Sequence, residues 1–370
     1  MDTLRDAIRK AANTKRARLP RVGGLPASDV DDAVRDVLGE ALRDLWEHGW
    51  LPYDVHEVVR RTEDERALSF AVDAIARDVA EHDVLHPLWR SQLAEIDARV
   101  WWDPARPHLD QWAERHIEVR DDAVGVVVAV LRALAGLPSL PVLVPLPGTP
   151  MADVDHHNVD PRVLKRVRGL LAKAESTAFP EEAEALSAKA QELVNRHALE
   201  RVPTESPTTT SRRLWLEKRY FDGKAHVVHV VAEANRSRAV VYDIGFVALV
   251  GEELDLEIVA LLSTSLLVQA TRAMVAAGDG APRGDESRTL AYRKSFLLSY
   301  AHRVGERLKK AAEPPADDRL LPALAARKAE VDSLFTTMFT RTRPKSTPVR
   351  SEAGWDAGRA AAERANLDVP

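Results

Sequence analysis

Apolar positions in the first 135 residues return every three or four places, the spacing of helices that each bury one face. In "DVDDAVRDVLGEALRDLWEHGW", Val30, Val34, Val37, Leu38, Leu42 and Leu45 share a face, and Gly49 ends the helix as a left-handed C-terminal glycine does. "EVVRRTEDERALSFAVDAIARDVAEH" repeats the pattern through Leu68, Val72, Ile75, Ala76 and Val79. "DDAVGVVVAVLRAL" predicts a buried helix capped by Asp121 or Asp122. No stretch before residue 136 has the pattern of a strand. Prolines at 138, 141, 145, 147 and 150 then make "GLPSLPVLVPLPGTP" a stiff, extended connector, because proline lacks the N–H that helices and central strands use.

Asp160 and Pro161 restart the helical period as an N-cap and first-turn proline, with Val163, Val167, Leu170, Leu171 and Ala174 on the apolar face. "ESTAF" breaks it. Pro180 begins a second helix on Ala183, Leu186, Ala190, Leu193 and Val194, which gives an antiparallel helical hairpin. "ERVPTESPTTTSRR" has no hydrophobic period and reads as a second linker. Beyond it, Leu214, Leu216, Lys218 and Tyr220 alternate as a strand, and "GKAHVVHVVAEAN" reads as a helix. "RAVVYDIGFVALVG" reads as two strands around a turn at 243–245, and two long helices follow.

The expected fold is mainly α with a small α+β C-terminal domain. An all-helical N-terminal domain spans 1–136, a Pro-rich linker 137–159, the helical hairpin 160–201 and a linker 202–212. A small antiparallel sheet packed with helices spans 213–312, and C-terminal helices and a tail span 313–370.

Composition narrows the chemistry. The chain has no cysteine, which removes disulfides, thiolate metal sites and Cys nucleophiles. Six of the eight tryptophans precede residue 115, so the N-terminal part has bulky anchors for its own core. "MDTLRDAIRKAANTK" is an amphipathic helix without the apolar core of a secretory signal. The apolar run "AVGVVVAVLRALAGL" is too short for a membrane span, so a cytoplasmic protein without membrane contact is expected. The net charge of −5 divides into −7 for residues 1–150 and +2 for 151–370, less basic than a dedicated nucleic-acid binder.

"RGLLAKAESTAFPEEAEALSAKAQELVNRHAL" resembles the signature of the domain of unknown function 2786, a bacterial and phage family. The resemblance covers about 40 residues through K-A-E-S-T, P-E-E-A, A-K-A-Q-E-L and a closing R-H-x-L. The region after it, and the ending "GWDAGRAAAERANL", resemble what trails this domain in actinobacterial members. Phe179 stands where a polar cap is usual, which bears on the loop geometry alone. The resemblance implies no reaction, cofactor or catalytic residue.

Polar motif positions of the hairpin are Lys173, Glu175, Ser176, Thr177, Glu182, Lys189, Gln191 and His197. Lys165, Arg166, Arg168 and Lys173 form either the solvated face of an amphipathic helix or a surface for phosphates. Arg293, Lys294, Arg303 and Arg307, with Tyr292 and Tyr300 nearby, pose the same choice. His226, His229 and Glu233 fall on one helical face as candidate metal ligands, without the H-E-x-x-H pattern; His156 and His157 form a second cluster in the linker. "VGEELDLE" has a phosphate-loop layout but fills its helix start with carboxylates, and Ser295, Ser299 and His302 lack the elbow of a catalytic triad. The expectation is a non-enzymatic binding or adaptor protein without cofactor, engaging nucleic acid or an acidic protein partner through its basic helices. A metal-dependent hydrolase and a structural subunit are the alternatives.

Overall fold

The computed structural model describes residues 2–14, 18–150, 161–176, 186, 189–190, 192–193, 209–277, 289–311, 321–343 and 348–364. Among them are thirteen helices and a three-stranded antiparallel sheet in the C-terminal half, a mainly α chain with a small α+β part. The chain divides into two compact units, Met1–Val154 and Asp155–Pro370.

The first unit consists of α1 (Asp2–Asn13), α2 (Ala27–Glu47), α3 (Pro52–Thr62), α4 (Glu65–Ala80), α5 (Pro87–Glu95), α6 (His108–His116) and α7 (Arg120–Leu134). The six α2 positions that share a face in the sequence are all buried. Gly49 ends the turn after α2 at φ +80°, and a Cβ there would overlap the Leu140 carbonyl oxygen. The glycine therefore serves both the turn and the close approach of the Pro-rich segment. That segment is not a free connector. Leu140 N–H donates to His48 O, Trp50 Nε1–H to Pro138 O and Gly148 N–H to Val84 O, so its backbone is tied to the first unit.

Two local expectations are corrected. The pattern from Glu57 to His82 is two helices broken at Glu63–Asp64, where the Asp64 carboxylate accepts the Ala67 N–H at 3.0 Å. Neither Asp121 nor Asp122 caps α7: Val119 holds that position, and Asp121 Oδ1 accepts the Val22 N–H at 2.8 Å. A long-range demand for a buried backbone donor outranked the local cap.

The core holds Trp50, Trp89, Trp112 and Phe70, together with a buried polar network on α4 and α6. The Asp73 carboxylate accepts from Trp101 Nε1 at 2.9 and 3.0 Å and from His108 Nε2 at 2.9 Å. Arg77 Nη2 lies 2.6 Å from His108 Nδ1. A guanidinium can only donate, so Nδ1 accepts and the proton sits on Nε2 of a neutral imidazole. Burial, reinforced by the Arg77 charge, holds His108 below the usual histidine pKa despite Asp73.

Ile117 closes α6 in the left-handed region at φ 56°, ψ 43°, with its side chain 95% exposed. A β-branched residue is strained there, and this one has no burial to offset the strain. Ile117→Gly is expected to stabilise the protein by about 1 kcal/mol. The denaturation midpoint of the whole chain reads this; an unchanged or lower midpoint contradicts it.

The second unit comprises α8 (Pro161–Ser176), β1 (Thr209–Trp215), α9 (Phe221–Ala234), β2 (Arg238–Tyr242), β3 (Phe246–Glu252), α10 (Glu253–Ala276), α11 (Leu290–Ala311), α12 (Leu321–Met338) and α13 (Glu352–Arg364). The sheet order is β1-β3-β2, with both outer strands antiparallel to β3. The outer strands are thus parallel to each other, and α9 connects them. The first strand stops at Trp215, short of the Lys218 and Tyr220 expected in it. Tyr220 instead adopts φ +60° and starts α9.

Val247 and Leu249 point from one face of β3 into the core with α9, α10 and α11. Phe246, Ala248 and Val250 lie on the other face, which α12 partly covers, so the strand reads as an unbroken apolar run buried on both sides. By length and composition α10 could cross a membrane. Here its Leu256, Ile258, Val259, Leu262 and Leu266 belong to the core, and its Asp255 accepts from Arg236 Nη2 at 2.6 Å. On α11, Tyr292, Phe296, Tyr300, Val304 and Leu308 are all buried, as their alignment in the sequence predicts.

Candidate functional site

Val167 and Leu171 are buried and seat α8 on α10. Arg168 Nη2 donates to Glu257 Oε1 at 2.6 Å, and Arg212 of β1 bonds the other oxygen. Burial alone would raise the Glu257 pKa, but the hydrogen bonds and charges of Arg212 and then Arg168 outweigh it and hold the carboxyl below its usual range. Glu257 thus bridges α8, α10 and β1. One of the four cations expected to form a surface on α8 is therefore a structural tie.

Lys165, Arg166 and Lys173 are exposed on the outer side of α8. Between them Gly169 leaves open space, since a Cβ there would meet nothing within 4 Å. Arg166, Gly169, Leu170, Lys189, Glu192 and Leu193 line a shallow pocket of about 350 Å³ beside it. Residues 186, 189, 190, 192 and 193 are helical, Ala190 is buried, and Lys189 Nζ lies 3.3 Å from Glu192 Oε2. Ser176 ends α8 with its hydroxyl donating to Lys173 O. Glu175 lies in α8. Thr177, Glu182, Gln191 and His197, like Asp160, His156 and His157, lie outside the described residues.

Of the four basic residues singled out on α11, Arg307 is buried and Arg293, Lys294 and Arg303 are only partly exposed. Arg307 is buried and Nη1 donates to Ala362 O at 2.6 Å, tying α11 to α13. Arg303 Nη1 is 2.7 Å from Glu306, and Arg293 Nη1 donates to the Tyr220 hydroxyl at 3.2 Å. Lys294 is half-buried. Tyr292 and Tyr300 are core residues, unavailable for stacking. Ser295 Oγ accepts the N–H groups of Arg350 and Ser351, so it anchors the C-terminal segment rather than serving a nucleophile.

On α9 the rings of His226 and His229 lie nearly parallel with centroids 6.2 Å apart. Burial, then the nearby His229 and His302, lowers the His226 pKa. Glu233 pairs with Lys309, whose Nζ lies 2.9 Å from its carboxylate. Shared helical spacing did not make these three side chains converge. Among the described residues no group of three His, Asp or Glu side chains could hold a metal ion. Glu253 and Asp255 do occupy the first turn of α10, where a phosphate would meet like charge.

No curated protein and no solved structure matches the chain. A family model described as "Protein of unknown function (DUF2786)" matches residues 162–201, so the segment that includes α8 and its exposed cations is similar to that family.

Proposed function

We propose that the chain is a non-enzymatic binding protein that engages nucleic acid through the outer side of α8. The observation that carries this reading is the asymmetry of α8: Val167, Leu171 and Arg168 fix its inner side, while Lys165, Arg166 and Lys173 stay exposed around the open position at Gly169. A helix held this rigidly presents its cations in one orientation, which favours phosphate contacts at fixed spacing. In this reading the protein requires no cofactor and works in the cytoplasm. The metal-dependent alternative has no comparable support, because the Glu233 carboxylate is already engaged by Lys309.

The test is binding of a labelled DNA duplex by the whole chain across salt concentrations. Lys165→Glu with Arg166→Glu is expected to weaken binding and to flatten the log–log salt slope by about 2. Absence of binding by the unaltered protein at low salt overturns the reading. Binding to polyglutamate but not to DNA would assign the same cations to an acidic protein.

A further inference from the structure

Strand register brings together side chains that no single stretch of sequence displays. Trp215, Phe246 and Tyr242 stand directly opposite one another across β1, β3 and β2, and hence on one face. Their ring centroids are 5.0 Å apart for Trp215–Phe246 and 4.5 Å apart for Tyr242–Phe246. Phe246 is fully buried, whereas Trp215 and Tyr242 are only half-buried, so the outer rings of the row keep accessible surface. The side chains of α12 reach this face at Glu252 through Arg327 and at Arg238 through Asp332 and Phe335, and Phe339, just after the helix, reaches Tyr242. These side-chain contacts lie on β2 and β3; α12 also packs on β1, where Trp215 stays partly exposed.

Positive charge gathers around the row. The Arg213 guanidinium lies 5.9 Å from the centre of the Phe246 ring. Lys218 and Arg219 are exposed just after Trp215, and Arg341 and Arg343 are exposed just after Phe339. Of these, Arg219 stacks on the Tyr220 ring at 5.1 Å, and the exposed carboxylates Glu217 and Asp243 also follow closely in sequence on Trp215 and Tyr242.

We infer that this face binds single-stranded nucleic acid, with a base stacked on Trp215 and phosphates met by Arg213, Arg341 and Arg343. Every base offers a π face, and a flexible strand can turn its bases onto a sheet, whereas duplex bases are already stacked on one another. The inference rests on the nucleic-acid reading above but uses different residues, on a different element.

The experiment compares labelled oligothymidine with a duplex of equal length, using the whole chain. The unaltered protein should prefer the single strand. Trp215→Leu keeps the apolar bulk but removes the aromatic face; it should weaken oligothymidine binding on the order of tenfold and leave duplex binding unchanged. Arg341→Ala with Arg343→Ala leaves the packing untouched and should flatten the single-strand salt slope by about 1.4. The α8 double variant should weaken both substrates. Should Trp215→Leu fail to fold, the arginine pair decides. Oligothymidine binding unaffected by the sheet variants but lost in the α8 variant overturns this inference and leaves the α8 reading standing. No binding to either oligonucleotide at low salt overturns both, and equal affinity for polyglutamate and oligothymidine overturns the choice of a nucleic acid.

Discussion

Gly358→Val is expected to release the terminal helix α13 from α11. A Cβ at Gly358 would overlap the Phe296 carbonyl oxygen and lie 2.9 Å from its carbonyl carbon, and one at Gly354 would overlap the Tyr292 carbonyl oxygen. Both obstacles are backbone, which cannot rotate aside as a side chain can. The two glycines are one helical turn apart, as are Tyr292 and Phe296, so the helices run in the same direction with their backbones in contact. This close approach permits Cα–H···O contacts and burial of Ala361 and Ala362. Overpacking costs about 1–3 kcal/mol where neighbours can shift; with backbone on one side, we expect the upper end or separation of the helices. Separation would also deprive Arg307 of the Ala362 carbonyl and Ser295 of the Arg350 and Ser351 N–H groups. Amide exchange across 352–364 should rise to that of an undocked helix. Retained protection there, with an unchanged melting temperature, would refute the account.

Asp73→Ala should be the most damaging single change in the first unit. It removes the acceptor of Trp101 Nε1–H and of His108 Nε2–H, and leaves the half-buried Arg77 without that neighbouring negative charge. Breaking a buried charged network by deleting one partner costs about 3–5 kcal/mol. Denaturation followed by tryptophan fluorescence should show it, since Trp101 and Trp102 both pack against His108. A loss under 1 kcal/mol would mean that the network adds little to stability. The same network implies a pH dependence in the unaltered protein. Because the folded pKa of His108 lies below its unfolded value, folding disfavours the protonated ring. The contribution is complete above the unfolded value near 6.5 and declines as pH falls below it towards the folded pKa. Protonation would place a donor on Nδ1 opposite Arg77 Nη2, which also only donates.

Much of the second unit was legible because it follows from local rules. The turn at 243–245 between two β-rich runs, the helices at 221–234, 253–276 and 290–311, and the inward line from Tyr292 to Leu308 are all properties of spacing within one segment. The candidate site on α8 was legible in the same way, down to Val167 and Leu171 facing inward. What spacing could not show was the fate of charge. Arg168 is 89 residues from Glu257, and Arg307 is 55 residues from Ala362 O. An arginine bound for a distant carboxylate or carbonyl looks, in sequence, like one bound for solvent. The same limit hid Asp73 and Asp78, which lie on the buried side of α4, where a simple division into apolar and polar faces places no carboxylate.

The sequence by itself determined that these segments are helical, which of their faces are apolar, and which family the segment around α8 resembles, because each depends on residues a few places apart. Tertiary structure alone decided which cations remain on the surface, that Glu233 pairs with Lys309 instead of joining His226 and His229, and that Trp215, Phe246 and Tyr242 form one row. Those outcomes depend on strand register and on helix packing across tens of residues. Pairing in space selects among many sequence-distant partners, and local periodicity carries no record of that selection.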